Sequence, residues 1–229
     1  MDRGALIVIG SGPGIGRSVA SAFASNGFTR IFLIRRNAQG LEDDKATVIA
    51  TAGKDIRVDT IVADISDQQA LAKALQQIEE EKYVIECVFF NAARVEPSEM
   101  LKFPIEEIEH DFRTTNIALY QTAQWAIPLL KVAKGTVSKP SLLVTNSLLY
   151  KYPVPQMFSL TFTKAAQRTL VEMMTTLYAP EGIHVGLISV GGPVAPENKV
   201  LNPKNIAKET WHFFQNSMNG DLEIEIVER

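Results

Sequence analysis

Seven short apolar runs punctuate the chain, at residues 5–9, 30–34, 57–63, 84–90, 141–146, 184–190 and 222–227. The first, Ala5-Leu6-Ile7-Val8-Ile9, is apolar at every position rather than at every second one, the pattern of a strand buried on both faces. Between most of these runs the apolar residues recur at helical spacing. Val19, Ala20 and Phe23 follow the first run in this way. Ser66 or Asp67 caps a helix through Leu71, Ala74, Leu75 and Ile78. Pro104 opens a long one, with Ile105, Ile108, Phe112, Ile117, Tyr120 and Ala123 on a period near 3.6. A further helix covers about 161–178, and Pro203 begins the last. Strands alternating with helices predict an α/β fold, a doubly wound parallel sheet with helices on both faces. The sequence holds no internal repeat, low-complexity tract or long linker, so a single domain is expected over residues 1–229.

The first run passes straight into Gly10-Ser11-Gly12-Pro13-Gly14-Ile15-Gly16 and then into a helix. Exposed N–H groups at a helix start attract a phosphate, and glycines let the backbone approach it closely. The spacing is G-x-x-x-G-x-G, with Gly10, Gly14 and Gly16; it is not G-x-G-x-x-G, because Ile15 stands at the final position of that pattern. A sheet of this kind binds ligands beyond the carboxyl ends of its strands, which turns attention to the residues after each run. Arg35 and Arg36 follow the second run, where a site for NAD usually offers a carboxylate to the ribose 2′-hydroxyl. Two guanidiniums there suit the additional phosphate of NADP(H), and surface arginines without a ligand are the alternative. Asp64 and Ile65 follow the third run, where an adenine ring would be edged, and Asn91-Ala92-Ala93 the fourth.

Composition narrows the partners. A chain of 229 residues buries roughly 70–75% of its unfolded surface in one domain. A net charge of −3 and a pI near 5.7 argue against nucleic acid, and Glu79-Glu80-Glu81-Lys82 reads as a solvated helix end. Cys87 is the only cysteine and lies inside an apolar run, so a core position is expected and an internal disulfide is excluded. His110, His184 and His212 show no ligand spacing, and no metal is expected. The first strand begins too early to leave room for a cleavable leader, and no apolar run approaches ~20 residues. A soluble, cytoplasmic protein without a membrane partner is the expectation.

Taken in order, these motifs resemble the short-chain dehydrogenase/reductase family over nearly the full chain. Gly10, Gly14 and Gly16 match the glycines of that family's cofactor turn, and Asp64 its acidic residue after the third strand. Phe90-Asn91-Ala92-Ala93 is similar to its Asn-Asn-Ala-Gly segment, with the first and last positions changed. Asn116 and Ser147 fall at its catalytic asparagine and serine, and Thr163-Lys164-Ala165-Ala166 resembles its Ser-Lys-Ala-Ala, which makes Lys164 the family lysine. Gly191, Gly192, Pro193 and Val194 would flank the nicotinamide after the sixth strand. The resemblance implies a Rossmann fold, an NADP(H) cofactor bound by Gly10, Ser11, Gly12, Gly14, Ile15, Gly16, Arg35, Arg36, Asp64, Ile65, Asn91, Ala92, Ala93, Lys164 and Gly191 to Val194, and a small-molecule substrate.

One position departs from the family. Its proton donor is a tyrosine four residues before the lysine, and here that residue is Leu160. Leucine has no proton to give to a forming alkoxide, and loss of a positioned acid costs roughly 10²–10⁴ in rate. Three readings follow: a reductase served by Tyr150, Tyr152 or a water held by Ser147 and Lys164; a reductase for an imine or activated alkene that needs no such donor; or a dinucleotide-binding sensor or scaffold with little redox activity, or a non-redox isomerisation or cyclisation. The segment from Gly191 to Asn202, where the family carries its lid, is short, which predicts a pocket left open or completed by a neighbouring subunit. In the family, the helix after the fourth strand and the lysine helix pair with their copies. Ile117, Tyr120, Trp125, Ala126 and Leu129, with Leu170, Met173, Met174 and Leu177, would serve a homodimer or homotetramer here, and packing within the core is the alternative.

Overall fold

Every apolar run forms a strand: β1 (Ala5–Ile9), β2 (Arg30–Arg35), β3 (Arg57–Val62), β4 (Ile85–Phe90), β5 (Ser141–Ser147), β6 (His184–Val190) and β7 (Glu223–Ile226). In this computed structural model, which describes residues 3–52, 56–133 and 138–228, they make one parallel sheet in the order β3-β2-β1-β4-β5-β6-β7. The chain winds outward from β1 to β3, then returns to the other side of β1 with β4. That reversal opens a crevice beyond the carboxyl ends of β1 and β4.

Among the described residues, seven α-helices cover the sheet: α1 (Ile15–Ser25), α2 (Ala38–Ala52), α3 (Gln68–Glu80), α4 (Ile105–Phe112), α5 (Ala118–Val132), α6 (Phe158–Tyr178) and α7 (Pro203–Gln215). The alternation along β1 shows how both faces fill. Ala5, Ile7 and Ile9 point into a core shared with α3, α5 and α6, whereas Leu6 and Val8 join α1, α2 and α7 on the opposite face. All five β1 residues are buried, which explains why that strand carries no polar alternation. Phe23, Phe28, Trp211 and Phe214 stack into an aromatic cluster that clamps α1 to α7. Among the described residues, no helix is long and apolar enough to cross a membrane.

Of the two expected caps of α3, Asp67 is the one used, its carboxylate accepting from the N–H groups of Gln69 and Ala70. Two local features differ from the sequence expectation. The long helix expected after Pro104 is interrupted by a π-helical turn, Arg113–Ile117, between α4 and α5. Helix α2 has no counterpart in the expected pattern. Only Leu41, Asp44 and Val48 of it are buried, a stripe with a carboxylate at its centre.

Candidate functional site

The turn after β1 is packed hard underneath and open above. Gly10 has φ +85°, and a Cβ there would lie 2.7 Å from the Ala92 backbone nitrogen. A Cβ on Gly16 would come within 2.6 Å of the Gly10 carbonyl oxygen, so α1 leaves the sheet at close quarters. Ile15 anchors the first turn of α1 on the core. Asn91, at the end of β4, braces the arrangement: its Nδ2 donates to the Gly10 carbonyl at 3.0 Å and its Oδ1 accepts from Thr145 Oγ1 at 2.8 Å. The Asn91 side chain is therefore a strut between the turn and β5, and Ala92 and Ala93 continue beside it, partly exposed.

Above the turn the picture reverses. A Cβ on Gly12 or Gly14 would meet no protein atom within 4 Å. No side chain caps α1, and its first turn holds no acidic residue. Uncapped helix-start N–H groups beneath an unfilled cradle suit an anion such as a dinucleotide pyrophosphate. The residues present fit that group.

The ends of β2 and β3 adjoin this cradle. Arg36 is exposed, while the Arg35 guanidinium turns back towards Asp44 on α2, with Nη1 3.4 Å from Oδ2. Partial burial disfavours the charge on Asp64, but the Ser66 hydroxyl and N–H, at 2.7 and 3.0 Å, together with the nearby Arg36 guanidinium, hold its carboxyl below the ordinary value. Ile65 is buried in the core behind it.

At the far end of the crevice lie the residues expected to carry chemistry. Ser147 closes β5, and its Oγ accepts from the Leu149 N–H at 3.2 Å. Lys164, in the second turn of α6, is buried; its Nζ donates to the Thr145 carbonyl at 2.7 Å and to Gln167 Oε1 at 2.9 Å. Both acceptors are neutral, and burial pulls the amine down to a pKa of about 7. Asn146 Nδ2, next to Ser147, donates to the Lys164 carbonyl at 3.2 Å and ties the end of β5 to α6. Asn116 lies on the π-helical turn, with Nδ2 donating to the Thr163 carbonyl at 3.1 Å and its buried Oδ1 lacking a partner. The same turn exposes the Thr115 carbonyl to Gln167 Nε2 at 3.2 Å. A π turn offsets the helical ladder, which releases carbonyls for such side contacts. Leu160 is buried in the first turn of α6.

Tyr150 does not face this centre as a free acid. Its hydroxyl is shared by both Glu223 carboxylate oxygens, at 3.1 and 3.0 Å, and its ring lies under the Arg168 guanidinium. Ser189 also donates to Glu223, so this carboxylate organises a cluster of its own on β6 and β7. Tyr152 is exposed. Gly191, Gly192, Pro193 and Val194 are exposed after β6, and a Cβ on Gly191 would fall 2.7 Å from Val227 Cγ1, so glycine admits the chain beside β7 there. The short segment beyond is a folded turn. Asn198 Oδ1 accepts from the N–H groups of Val200 and Leu201 at 2.8 and 2.7 Å, and Leu201 plugs the core.

Three polar residues of this region were not visible as site residues in the sequence. Asp44 breaks the apolar stripe Leu41-Asp44-Val48 on α2, and Gln167 follows Lys164 on the buried stripe Leu160-Lys164-Gln167-Val171 of α6; a polar residue in phase with a buried stripe is the signal that finds them. The third is Asp111, which takes a bidentate ion pair from Arg94 at 2.8 and 2.9 Å and a hydrogen bond from Ser159, beside Leu160. Among the described residues, no group of three or more His, Cys, Asp or Glu is placed to hold a metal ion.

A family model described as short chain dehydrogenase matches residues 5–205. Among curated proteins, the "Uncharacterized oxidoreductase YhdF" of Bacillus subtilis (strain 168) is 23% identical over 89% of this chain and 68% of its own. L-sorbose reductase from Gluconobacter frateurii, solved with NADPH and L-sorbose, superposes with a TM-score of 0.86 at 15% identity, over 99% of this chain and 97% of that one. An NADPH-bound short chain oxidoreductase from Pseudomonas aeruginosa PAO1, described as containing an atypical catalytic center, superposes with a TM-score of 0.84 at 17% identity, over 99% and 96% of the two chains.

Proposed function

The chain belongs to the short chain dehydrogenase family, and from that premise we propose that it is an NADP(H)-dependent oxidoreductase acting on a small organic carbonyl, alcohol, imine or activated alkene. The observation that carries this reading is the unfilled space over Gly12 and Gly14 at the uncapped start of α1. Arg36, exposed at the end of β2 with no carboxylate on the short turn there, supports the phosphorylated form of the cofactor. When bound, the cofactor supplies or accepts a hydride. Ser147 orients the substrate oxygen or nitrogen, and Lys164 holds the nicotinamide ribose from below.

The proton comes neither from residue 160 nor from Tyr150. Leu160 has none to give, and the Tyr150 hydroxyl is spent on Glu223. The exposed Tyr152 or a water between Ser147 and Lys164 is the remaining carrier, or the substrate is one that needs no acid at that point. An iminium already carries its proton, and an activated alkene is protonated elsewhere. Tyr120, Met173 and Leu177 leave apolar surface on the outer faces of α5 and α6, which supports a homodimer or homotetramer.

A second reading, a dinucleotide-binding protein with little redox activity, is favoured by one observation. Both hydrogen bonds made by Lys164 Nζ go to protein acceptors deep in the fold, the Thr145 carbonyl and Gln167. The test is a calorimetric titration with NADPH and NADH, followed by a turnover screen over ketones, aldehydes, cyclic imines and enones. NADPH binding with turnover on any of them supports the oxidoreductase. NADPH binding without turnover supports the second reading, and no binding of either nucleotide overturns both.

A further inference from the structure

Asp44 is wholly buried in the middle of α2, directly under the dinucleotide turn. Three groups from the cofactor face converge on it. Ser11, inside the turn, donates its hydroxyl to Oδ2 at 2.8 Å. Arg35, the last residue of β2, places Nη1 3.4 Å from the same oxygen, and Arg17 on α1 places Nη1 3.6 Å from Oδ1. Oδ1 receives no hydrogen bond, so its charge is balanced only by the guanidiniums beside it. The path of Arg35 depends on Gly40. A Cβ there would stand 2.1 Å from Nη1, so the guanidinium occupies the space that a side chain would take. Arg36 behaves differently. It is exposed, makes no hydrogen bond or ion pair among the described residues, and lies near enough to Asp64 to stabilise that carboxylate's charge.

We infer that Asp44 is a specificity-determining positioning residue: it holds Ser11 and Arg35 beneath the turn and leaves Arg36 as the one arginine at the end of β2 free to meet a ribose phosphate. Moving Arg35 towards a ligand would strip a buried carboxylate of a cation in a low-dielectric setting, which the fold resists. Arg35 therefore shapes the turn for either dinucleotide, and Arg36 discriminates between them. The inference rests on the dinucleotide reading above and adds which residue performs the discrimination and why its neighbour does not.

Calorimetric titrations of the full chain with NADPH and with NADH test it. Arg36→Ala is expected to weaken NADPH by about 10–100-fold while leaving NADH unchanged, the loss of a charge-assisted contact to phosphate. Arg35→Ala is expected to weaken both nucleotides by a similar factor, leaving their ratio as in the wild type. Gly40→Ala evicts the guanidinium sterically, and Asp44→Asn removes the charge that retains it while keeping an acceptor for Ser11. Each should raise the preference for NADPH over NADH by about threefold or more, and the rise should vanish when either is combined with Arg35→Ala. Where Asp44→Asn does not fold, Gly40→Ala carries the same comparison. A wild type that prefers NADPH but loses the preference with Arg35→Ala overturns the inference, as does an unchanged ratio in Gly40→Ala. A wild type that binds neither nucleotide overturns the dinucleotide reading itself, and the inference falls with it.

Discussion

Lys164 donates its ammonium nitrogen to Gln167 Oε1 at 2.9 Å, one turn further along the buried face of α6, and Gln167 in turn donates to the Thr115 carbonyl on the π-helical turn. The amide thus couples the lysine to the helix break that carries Asn116. Among the described residues no carboxylate compensates the amine, whose other partner is the Thr145 carbonyl. Desolvation alone lowers its pKa from 10.5 to about 7.

Stability should record that depression. Below pH ~7 the amine is protonated in both states, and the folded chain bears the full cost of a buried charge. Between about 7 and 10.5 the folded form has lost the proton while the unfolded form keeps it. Unfolding then takes up a proton, so stability rises with pH across that window, by on the order of 4–5 kcal/mol at ~1.4 kcal/mol per pH unit. Urea unfolding at several pH values should show this slope in the wild type and a flatter one in Lys164→Met, which keeps the packing and removes the titration. Parallel profiles would show that Lys164 is not the group responsible.

The strands were legible in the sequence because their signal is local. Each apolar run needed nothing but its own residues to be recognised, and β1 announced its double burial by having no polar position at all. Gly10, Gly14 and Gly16 were likewise legible, although the sequence does not say that Gly10 and Gly16 pack against the protein while Gly14 faces open space. What stayed hidden depends on partners far along the chain. Asp44 broke the apolar stripe of α2 and concealed that helix, and its partner Ser11 lies in another element. The π turn at Arg113–Ile117 is matched to acceptors and donors on α6, so periodicity within the segment reads as one uninterrupted helix. Tyr150 looked like a candidate acid until the fold set Glu223 against its hydroxyl.

The ion pair between Arg94 and Asp111 fixes the entrance to α6, because Ser159 donates to the same carboxylate and its own N–H is held by Ser98 Oγ at 2.9 Å. Removing Asp111 leaves a largely enclosed guanidinium and an unpaired hydroxyl. Asp111→Ala should therefore cost about 2–4 kcal/mol, somewhat less than a fully buried pair because Arg94 keeps Glu96 at 3.1 Å and some contact with water. Chemical denaturation would check this. A loss below ~1 kcal/mol would assign the pair to the surface class.

Assembly has an equally direct test. Met173 and Leu177 lie one turn apart on α6, with 55% and 63% of their surface exposed, adjacent apolar side chains that a second copy would cover. Multi-angle light scattering at micromolar concentration should return a dimer or tetramer. Met173→Glu with Leu177→Glu should return a monomer that keeps its circular dichroism spectrum. A wild-type monomer would leave those side chains without a covering partner and refute the assembly.

Leu160→Tyr asks whether a missing hydroxyl is what limits carbonyl reduction. The residue occupies the first turn of α6, one turn before Lys164, and is buried with only 6% of its surface exposed. A phenol there would stand on the same helical face as the lysine, where its proton could be shared with the amine. If the acid is the limiting element, turnover of simple ketones and aldehydes should rise, by at most the ~10²–10⁴ that a positioned acid contributes. Overpacking works against the gain, since a ring enlarged by a hydroxyl must enter a site shaped around leucine and typically costs 1–3 kcal/mol. Stability and NADPH affinity therefore have to be measured on the same variant. A folded variant that binds NADPH and gains activity locates the defect at Leu160. A folded variant that binds NADPH and gains nothing, beside a wild type that reduces some carbonyl briskly, shows that another proton route already operates; Tyr152→Phe and Ser147→Ala then separate the exposed phenol from the water. If both proteins bind NADPH and neither reduces any substrate, the dinucleotide-binding reading takes the place of the oxidoreductase.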